Sequence, residues 1–376
     1  MKQCQRLAWL KERWGYLSMK KAILFILAFV ISTPLAFADG EKNTKKKSLV
    51  KHLKQISVTI KSTKKTRWGD SSSEGSGVIV TRKIKDKKGN THIVNFVWTA
   101  GHVVDNLRST RQVNDPKTGS TRTVVEFSRP SIVQELIDKK SGQRIGEVKL
   151  DTVVLCYSDA DTGEDLALLM VLKKDFLVDD GAKFYLNKAI PPQLTDIVHV
   201  GSRHGQFGAN SFSSGEISSI GRVLKLSGAT SKIFDQTSVP ASPGSSGGGV
   251  YFKSGANAGK CLGLIVRGGE ATFNFIVPVR RMHSWAKKMN VEFALNPNAE
   301  TPLLEDLTKI TIEDGWINRH GGKDEKKGAK KPKKSFSIEK NTIRKIIKDS
   351  SKIRTFNIKI LETPAKKEKA LKVVKK

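Results

Sequence analysis

A serine set between glycines can be made into a nucleophile, and residues 239–250, Val-Pro-Ala-Ser-Pro-Gly-Ser-Ser-Gly-Gly-Gly-Val, hold Ser246 in that way. Glycine lets the backbone turn sharply and expose the hydroxyl, and the amides of Gly244, Ser245 and Ser246 can then converge on one point as an oxyanion hole. The chemistry this serves is acyl transfer. The same composition also suits a Ser/Gly linker, so the rest of the chain must supply the partners. A serine nucleophile needs a base to take its proton and a carboxylate to orient that base. Thr99-Ala-Gly-His102 offers the base, and the acidic loop Asp159-Ala-Asp-Thr-Gly-Glu-Asp165 offers the carboxylate. Read alone, His102 could be a satisfied buried histidine and Asp165 a turn cap, with Asp159, Asp161 and Glu164 as its rivals. Asp165 stands out because it directly precedes the apolar run Leu166–Leu172, whereas the others lie inside the loop. In chain order the three are His102, Asp165 and Ser246, 63 and 81 residues apart. The seven histidines are scattered and show no metal-ligand spacing. With no phosphate-cradling glycine loop either, no metal or cofactor is expected.

These residues must be positioned by something, and the surrounding pattern is one of short strands. Ile56–Ile60 alternates like a first strand inside a Lys-rich stretch, and Gly75–Val80 is a β-branched run opened by glycine. A charged turn over Lys83–Asn90 joins it to His92–Trp98, so the two read as a hairpin, and His102 sits where the second arm ends. Thr121–Phe127, Gly146–Leu150, Thr152–Tyr157 and Leu166–Leu172 continue the series. Ile197–Val200, Ser214–Ile220, Ser231–Phe234, Cys261–Val266 and Phe273–Val277 follow. No long amphipathic helix is expected before about residue 280, so the fold class is all-β. Pro278–Met289 then reads as a closing helix, with Val279, Met282, Trp285 and Met289 at helical spacing for core packing.

The net charge of +31 is confined to the ends. Residues 1–65 carry 15 basic and 3 acidic side chains and residues 319–376 carry 21 and 6, leaving 31 against 27 in between. A near-neutral body excludes a nucleic-acid-binding core, whose charge would lie on the folded surface. From Met19 the chain reads Met-Lys-Lys, an apolar run from Ala22 through Ile31, and Ala36-Phe37-Ala38 before Asp39. That is the layout of a secretory signal, with an uncleaved membrane anchor as the alternative. The expected organisation is a signal peptide over 1–38 with a possible start at Met19, a basic linker over 39–54 and a catalytic domain over 55–295. A linker over 296–318 and a Lys-rich, disordered tail over 319–376 complete it. Cleavage removes Cys4 and leaves Cys156 and Cys261, too few for a disulfide framework.

Taken together, Thr99-Ala-Gly-His102, Asp165-Leu-Ala-Leu-Leu169 and Gly244-Ser-Ser-Gly-Gly248 resemble the three signature motifs of the chymotrypsin-like (trypsin-like) serine proteases. The Gly75–Val80 strand, the Ser242–Gly248 loop and Phe275-Ile-Val-Pro-Val279 are similar to the bacterial HtrA/Deg branch. The resemblance covers roughly residues 55–290. It implies two six-stranded antiparallel β-barrels with the triad in the cleft between them. It further implies that His102 is the general base, that Asp165 orients it, that Ser246 attacks the scissile carbonyl, and that Gly244 and Ser246 amides form the oxyanion hole. The expected function is an exported endopeptidase, periplasmic or secreted, acting on protein or peptide substrates through an acyl-enzyme. A surface or nucleic-acid binder using its basic tails is the alternative, and contact of those tails with an anionic polymer or membrane surface is compatible with either reading. The tail shows no PDZ pattern, and Ser245 stands where digestive trypsins carry the aspartate that pairs with a newly cut N-terminus. The residue six before the nucleophile, which in this family lines the base of the primary pocket, is Pro240, and Gln236–Ser245 contains no carboxylate. Cleavage after small or aliphatic residues is therefore expected over cleavage after Lys or Arg.

Overall fold

The computed structural model describes residues 48–67, 69–114, 121–138, 140–172, 178–224, 231–310, 312 and 359–360. The stretch expected as a signal peptide, and all of the basic tail except Lys359–Ile360, lie outside them. A short helix over 48–56 (α1) ends in the buried Leu53 and Ile56, so the last residues expected as linker are folded. Strands β1 (Ser57–Thr66), β2 (Gly69–Lys85) and β3 (Thr91–Thr99) follow as an antiparallel meander. A separate hairpin pairs β4 (Arg108–Asn114) with β5 (Thr121–Phe127), and then come β6 (Ser131–Ile137), β7 (Arg144–Ser158) and β8 (Leu166–Val171). Their pairing runs β7-β6-β1-β2-β3-β8 and returns from β8 to β7, which closes six antiparallel strands on themselves. Closure turns alternate side chains inward, and Val58, Ile60, Ile79, Val97 and Leu169, which share one face by register, are buried there.

The second half repeats this plan. Beyond a two-residue strand β9 (Lys183–Phe184) come β10 (Asp196–Arg203), β11 (Gly208–Leu224), β12 (Lys232–Thr237), β13 (Gly249–Phe252), β14 (Lys260–Glu270) and β15 (Phe273–Pro278). They pair in the order β13-β10-β11-β12-β15-β14, and β14 pairs back to β13. Its interior is an apolar cluster that includes Ile197, Ile217, Val239, Val250, Leu262, Ile265 and Ile276. The two-barrel architecture is thus the one expected. The closing helix α2 (Val279–Lys288) buries Val279, Met282, Trp285 and Ala286, and Trp285 meets Trp98 of the first barrel edge-on at 5.9 Å.

Three features depart from the expected boundaries. Gly146–Leu150 and Thr152–Tyr157 form one strand, β7, because Asp151 is where its partner changes: Asp151 faces Ser131 of β6, and Thr152 faces Val171 of β8. The fold also continues past residue 295. Leu304, Leu307 and Ile310 are buried on and after a 3-10 turn over Leu304–Lys309, and the Tyr157 amide donates to the Ile312 carbonyl at 2.7 Å. A 3-10 strap has no 3.6-residue period, so this segment reads as a linker in the sequence. Finally, Lys359–Ile360 (β16) pair with Gly146 and Glu147 on the outside of β7.

Candidate active site

His102 follows β3 on a single 3-10 turn, Gly101–Val103. Gly101 is required by close approach, since a Cβ there would stand 2.3 Å from the Ser158 carbonyl oxygen of β7. The His102 amide donates to Asp165 Oδ1 at 3.0 Å, and its ring Nδ1 lies 3.0 Å from Oδ1 and 3.2 Å from Oδ2 of the same carboxylate. Asp165 is fully buried and has φ of 54°, a left-handed conformation that aspartate tolerates better than most residues. Burial disfavours the His102 imidazolium, but the hydrogen bond and charge of Asp165 outweigh it, while Arg267 opposes, and the net result is a pKa above the ordinary histidine value.

The rival acids are occupied elsewhere. Asp159 Oδ1 accepts from the Asp161 and Thr162 amides and folds the loop. Asp161 stands 3.8 Å from Arg267, whose guanidinium also donates to the Ala160 carbonyl at 2.8 Å. Glu164 is paired with Lys232 at 2.6 Å and with Arg281.

Ser246 comes from the second barrel, on the loop between β12 and β13. The loop is pressed against the His102 segment: a Cβ on Gly247 would fall 2.2 Å from Thr99 Oγ1 and 2.9 Å from the Ala100 nitrogen. It opens with a turn in which the Ser245 amide donates to the Ser242 carbonyl at 2.9 Å, with Gly244 at φ of 91°. Pro-Gly at the two central positions with φ positive at the second is a type II turn, which directs the central N–H, that of Gly244, outward. Each peptide plane of the loop is held. The Pro243 carbonyl accepts from the His204 amide at 2.7 Å and the Ser245 carbonyl from the Gly248 amide at 3.0 Å, while the Gly247 amide donates to Ile265 at 2.7 Å. In a trans peptide the N–H points opposite the carbonyl, so these anchors fix the directions of the Gly244 and Ser246 amides. Neither of those two amides has an acceptor among the described residues. The expectation of three converging amides is therefore corrected to two, because closing the turn uses that of Ser245. The Ser245 side chain is turned inward and is buried.

Among the described residues, the hydroxyl of Ser246 makes no hydrogen bond to His102, and the imidazole is bonded to Asp165 alone. Catalytic contacts of this kind are commonly long until substrate is bound. Sequence reasoning missed Ser76, which reaches Gly244 and Ser246 from β2. Its signal was the pair of glycines, Gly75 and Gly77, around it. A cavity of about 340 Å³ beneath α2, bounded by Tyr185, Ile217, Leu262 and the Asp235–Arg280 ion pair, shares no residue with this cleft.

Among solved structures, an HtrA-type protease, AlgW, in complex with a tripeptide is similar at 19% identity with a TM-score of 0.41. That similarity spans 66% of this chain and 64% of that one. Deg5 is similar at 17% identity with a TM-score of 0.44, over 68% of this chain and 98% of that one. No curated protein matches. Residues 75–262, half of the sequence, match the trypsin-like peptidase domain family, and the matched span contains His102, Asp165 and Ser246. This chain belongs to the trypsin-like peptidase domain family.

Proposed function

We propose that the chain is an exported serine endopeptidase. The His102 Nε2 takes the proton of Ser246 Oγ as that oxygen attacks the scissile carbonyl, and Asp165 keeps the Nδ1 proton in place and stabilises the imidazolium. The oxyanion is received by the amides of Gly244 and Ser246. The imidazolium then gives its proton to the leaving amine, and a water activated by the same base releases the acyl group from Ser246. The observation that carries this reading is the loop beside His102, in which the amides flanking Ser245 are held without acceptors while the others are occupied. The test is reaction of the purified protein with a fluorophosphonate probe: labelling is expected for the wild type and absent for Ser246→Ala. A folded wild type that is not labelled overturns the reading.

Residues beside the Ser246 loop support a preference at the cleaved bond. Asn274 of β15 donates to the Val239 carbonyl at 2.9 Å and to that of Ala271 at 2.8 Å. Its Oδ1 lies against Gly268, so closely that a Cβ there would be 2.1 Å away. Asn274 is neutral and residues 236–245 carry no carboxylate, so a long cation bound beside them would lack a counter-charge, and unpaired burial of such a cation costs several kcal/mol. A mixed peptide library is expected to show cleavage after small or aliphatic residues, and a dominant Lys or Arg preference would refute it. Export rests on the signal-like segment, and contact of the basic ends with an anionic polymer or membrane surface is proposed as a secondary property.

A further inference from the structure

One residue of the first barrel holds both the nucleophile loop and the segment that carries the base. Ser76, fully buried in β2, donates its amide to the Ser246 carbonyl at 2.7 Å and its hydroxyl to the Gly244 carbonyl at 2.6 Å. The same hydroxyl accepts from the Ser202 amide at 2.7 Å, and the Ser76 carbonyl accepts from Thr99 Oγ1 at 2.8 Å, three residues before His102. The flanking glycines permit this approach: a Cβ at Gly75 would lie 2.6 Å from both Val103 methyls and 3.2 Å from the Ser246 carbonyl oxygen, and one at Gly77 would lie 2.4 Å from a Val97 methyl.

The peptide planes show what the grip accomplishes. The plane joining Gly244 to Ser245 is held at its oxygen by the Ser76 hydroxyl and at its nitrogen by Ser242. The plane joining Ser246 to Gly247 is held at its oxygen by the Ser76 amide and at its nitrogen by Ile265. Between them lies the plane that carries the Ser246 amide, one of the two free donors. We propose that Ser76 is a positioning residue for the acyl-transfer reaction, whose hydroxyl sets the oxyanion donors and ties their loop to the His102 segment. The proposal rests on the proteolytic reading above. It goes beyond that reading because Ser76 touches no reacting atom.

Replacing Ser76 by alanine leaves the Gly244 carbonyl and the Ser202 amide without their partner. Loss of an oxyanion donor lowers turnover by about 10²–10³, and loosening of donors that remain present should cost less, so Ser76→Ala is expected to lower kcat by about 10- to 100-fold with KM within about twofold. Affinity for a peptide aldehyde, which forms an oxyanion on Ser246, should fall by the same factor, whereas affinity for the corresponding peptide alcohol should not change. Ser76→Cys keeps a weaker donor and should fall between. Thr59→Ala serves as the control for general loosening, because it deletes the buried Thr59–Ser202 bond of 2.6 Å from β1 and removes none of the bonds that Ser76 makes. It should lower Tm and leave kcat alone. A folded Ser76→Ala with wild-type kcat and aldehyde affinity overturns the proposal, as does a Thr59→Ala that loses kcat equally. If the alanine variant does not fold, wild-type aldehyde affinity in Ser76→Cys overturns it instead. A wild type with neither hydrolysis nor aldehyde binding sinks the proteolytic reading itself, a result distinct from either of these.

Discussion

At the scale of single residues, the site is defined by what each polar group is already doing. Ser246→Ala and His102→Ala are each expected to lower turnover by about 10⁴–10⁶, and the double variant by little more, because the members act as one unit. Steady-state kinetics on all three variants checks this, and a double loss equal to the product of the singles would contradict it. The raised pKa of His102 sets the sign of the pH response. The neutral imidazole is the base, so kcat/KM should rise with pH through a midpoint above the ordinary histidine value of about 6.5. Asp165→Asn tests the cause, since asparagine also accepts left-handed φ and the loop should survive. Its rate should fall by about 10⁴ and its pH midpoint should move down. The bond of His102 to Asp165 and the approach of the Ser246 loop to that segment were foreshadowed, because residue types, order and flanking glycines are local signals. Ser245 was misassigned because the fate of its amide depends on the turn type. Ser76 went unnoticed because its meaning comes from contacts with residues 126 to 170 positions away.

At the scale of elements, the strands that alternate or run apolar were legible, and so was α2 with its Val279, Met282 and Trp285 stripe. β6 was missed because Gln134 and Glu135 interrupt its apolar run, and β13 because it begins inside the glycine sequence of the nucleophile loop. β10 contributes a further constraint that sequence does not reveal. Its His199 is fully buried under that loop, with Nδ1 bonded to the Gly249 carbonyl at 3.1 Å and Nε2 without a partner among the described residues. Burial pushes its pKa down to about 4. The folded value lies below the unfolded value of about 6.5, so protonation favours the unfolded chain. The stability contribution is complete above pH ~6.5 and is lost as pH falls toward 4, by as much as about 3 kcal/mol. Thermal melts across that range should show it, and His199→Gln should flatten the profile. An unchanged slope in that variant would assign the acid sensitivity to other groups.

At the scale of the whole molecule, two closed rings meet through polar contacts and the proposed triad is divided between them, His102 and Asp165 on one and Ser246 on the other. The near-neutral body and the basic ends are distinct in sequence. Deleting residues 319–376 should leave hydrolysis of a short peptide nearly unchanged, because the motifs lie upstream. It should weaken binding to an acidic polymer or anionic vesicles, with that binding fading as salt rises. Loss of peptide hydrolysis on deletion would place part of the tail in the catalytic body. The sequence disclosed the charge partition fully, while the strap over 304–310 stayed hidden because it lacks any regular period.

The two cysteines among the described residues carry a consequence for how the body would last in the exported setting proposed above. Cys156 is buried in β7 and Cys261 in β14, one in each ring, and both are free. Burial raises both thiols, Cys261 to about 12, so neither is a thiolate at neutral pH, and an oxidising compartment has nothing to act on while the fold is intact. Unfolding removes that protection. The exposed thiols can then cross-link within or between chains, after which the native pairing cannot re-form, and in such a compartment the working life of the molecule becomes a matter of how rarely it opens.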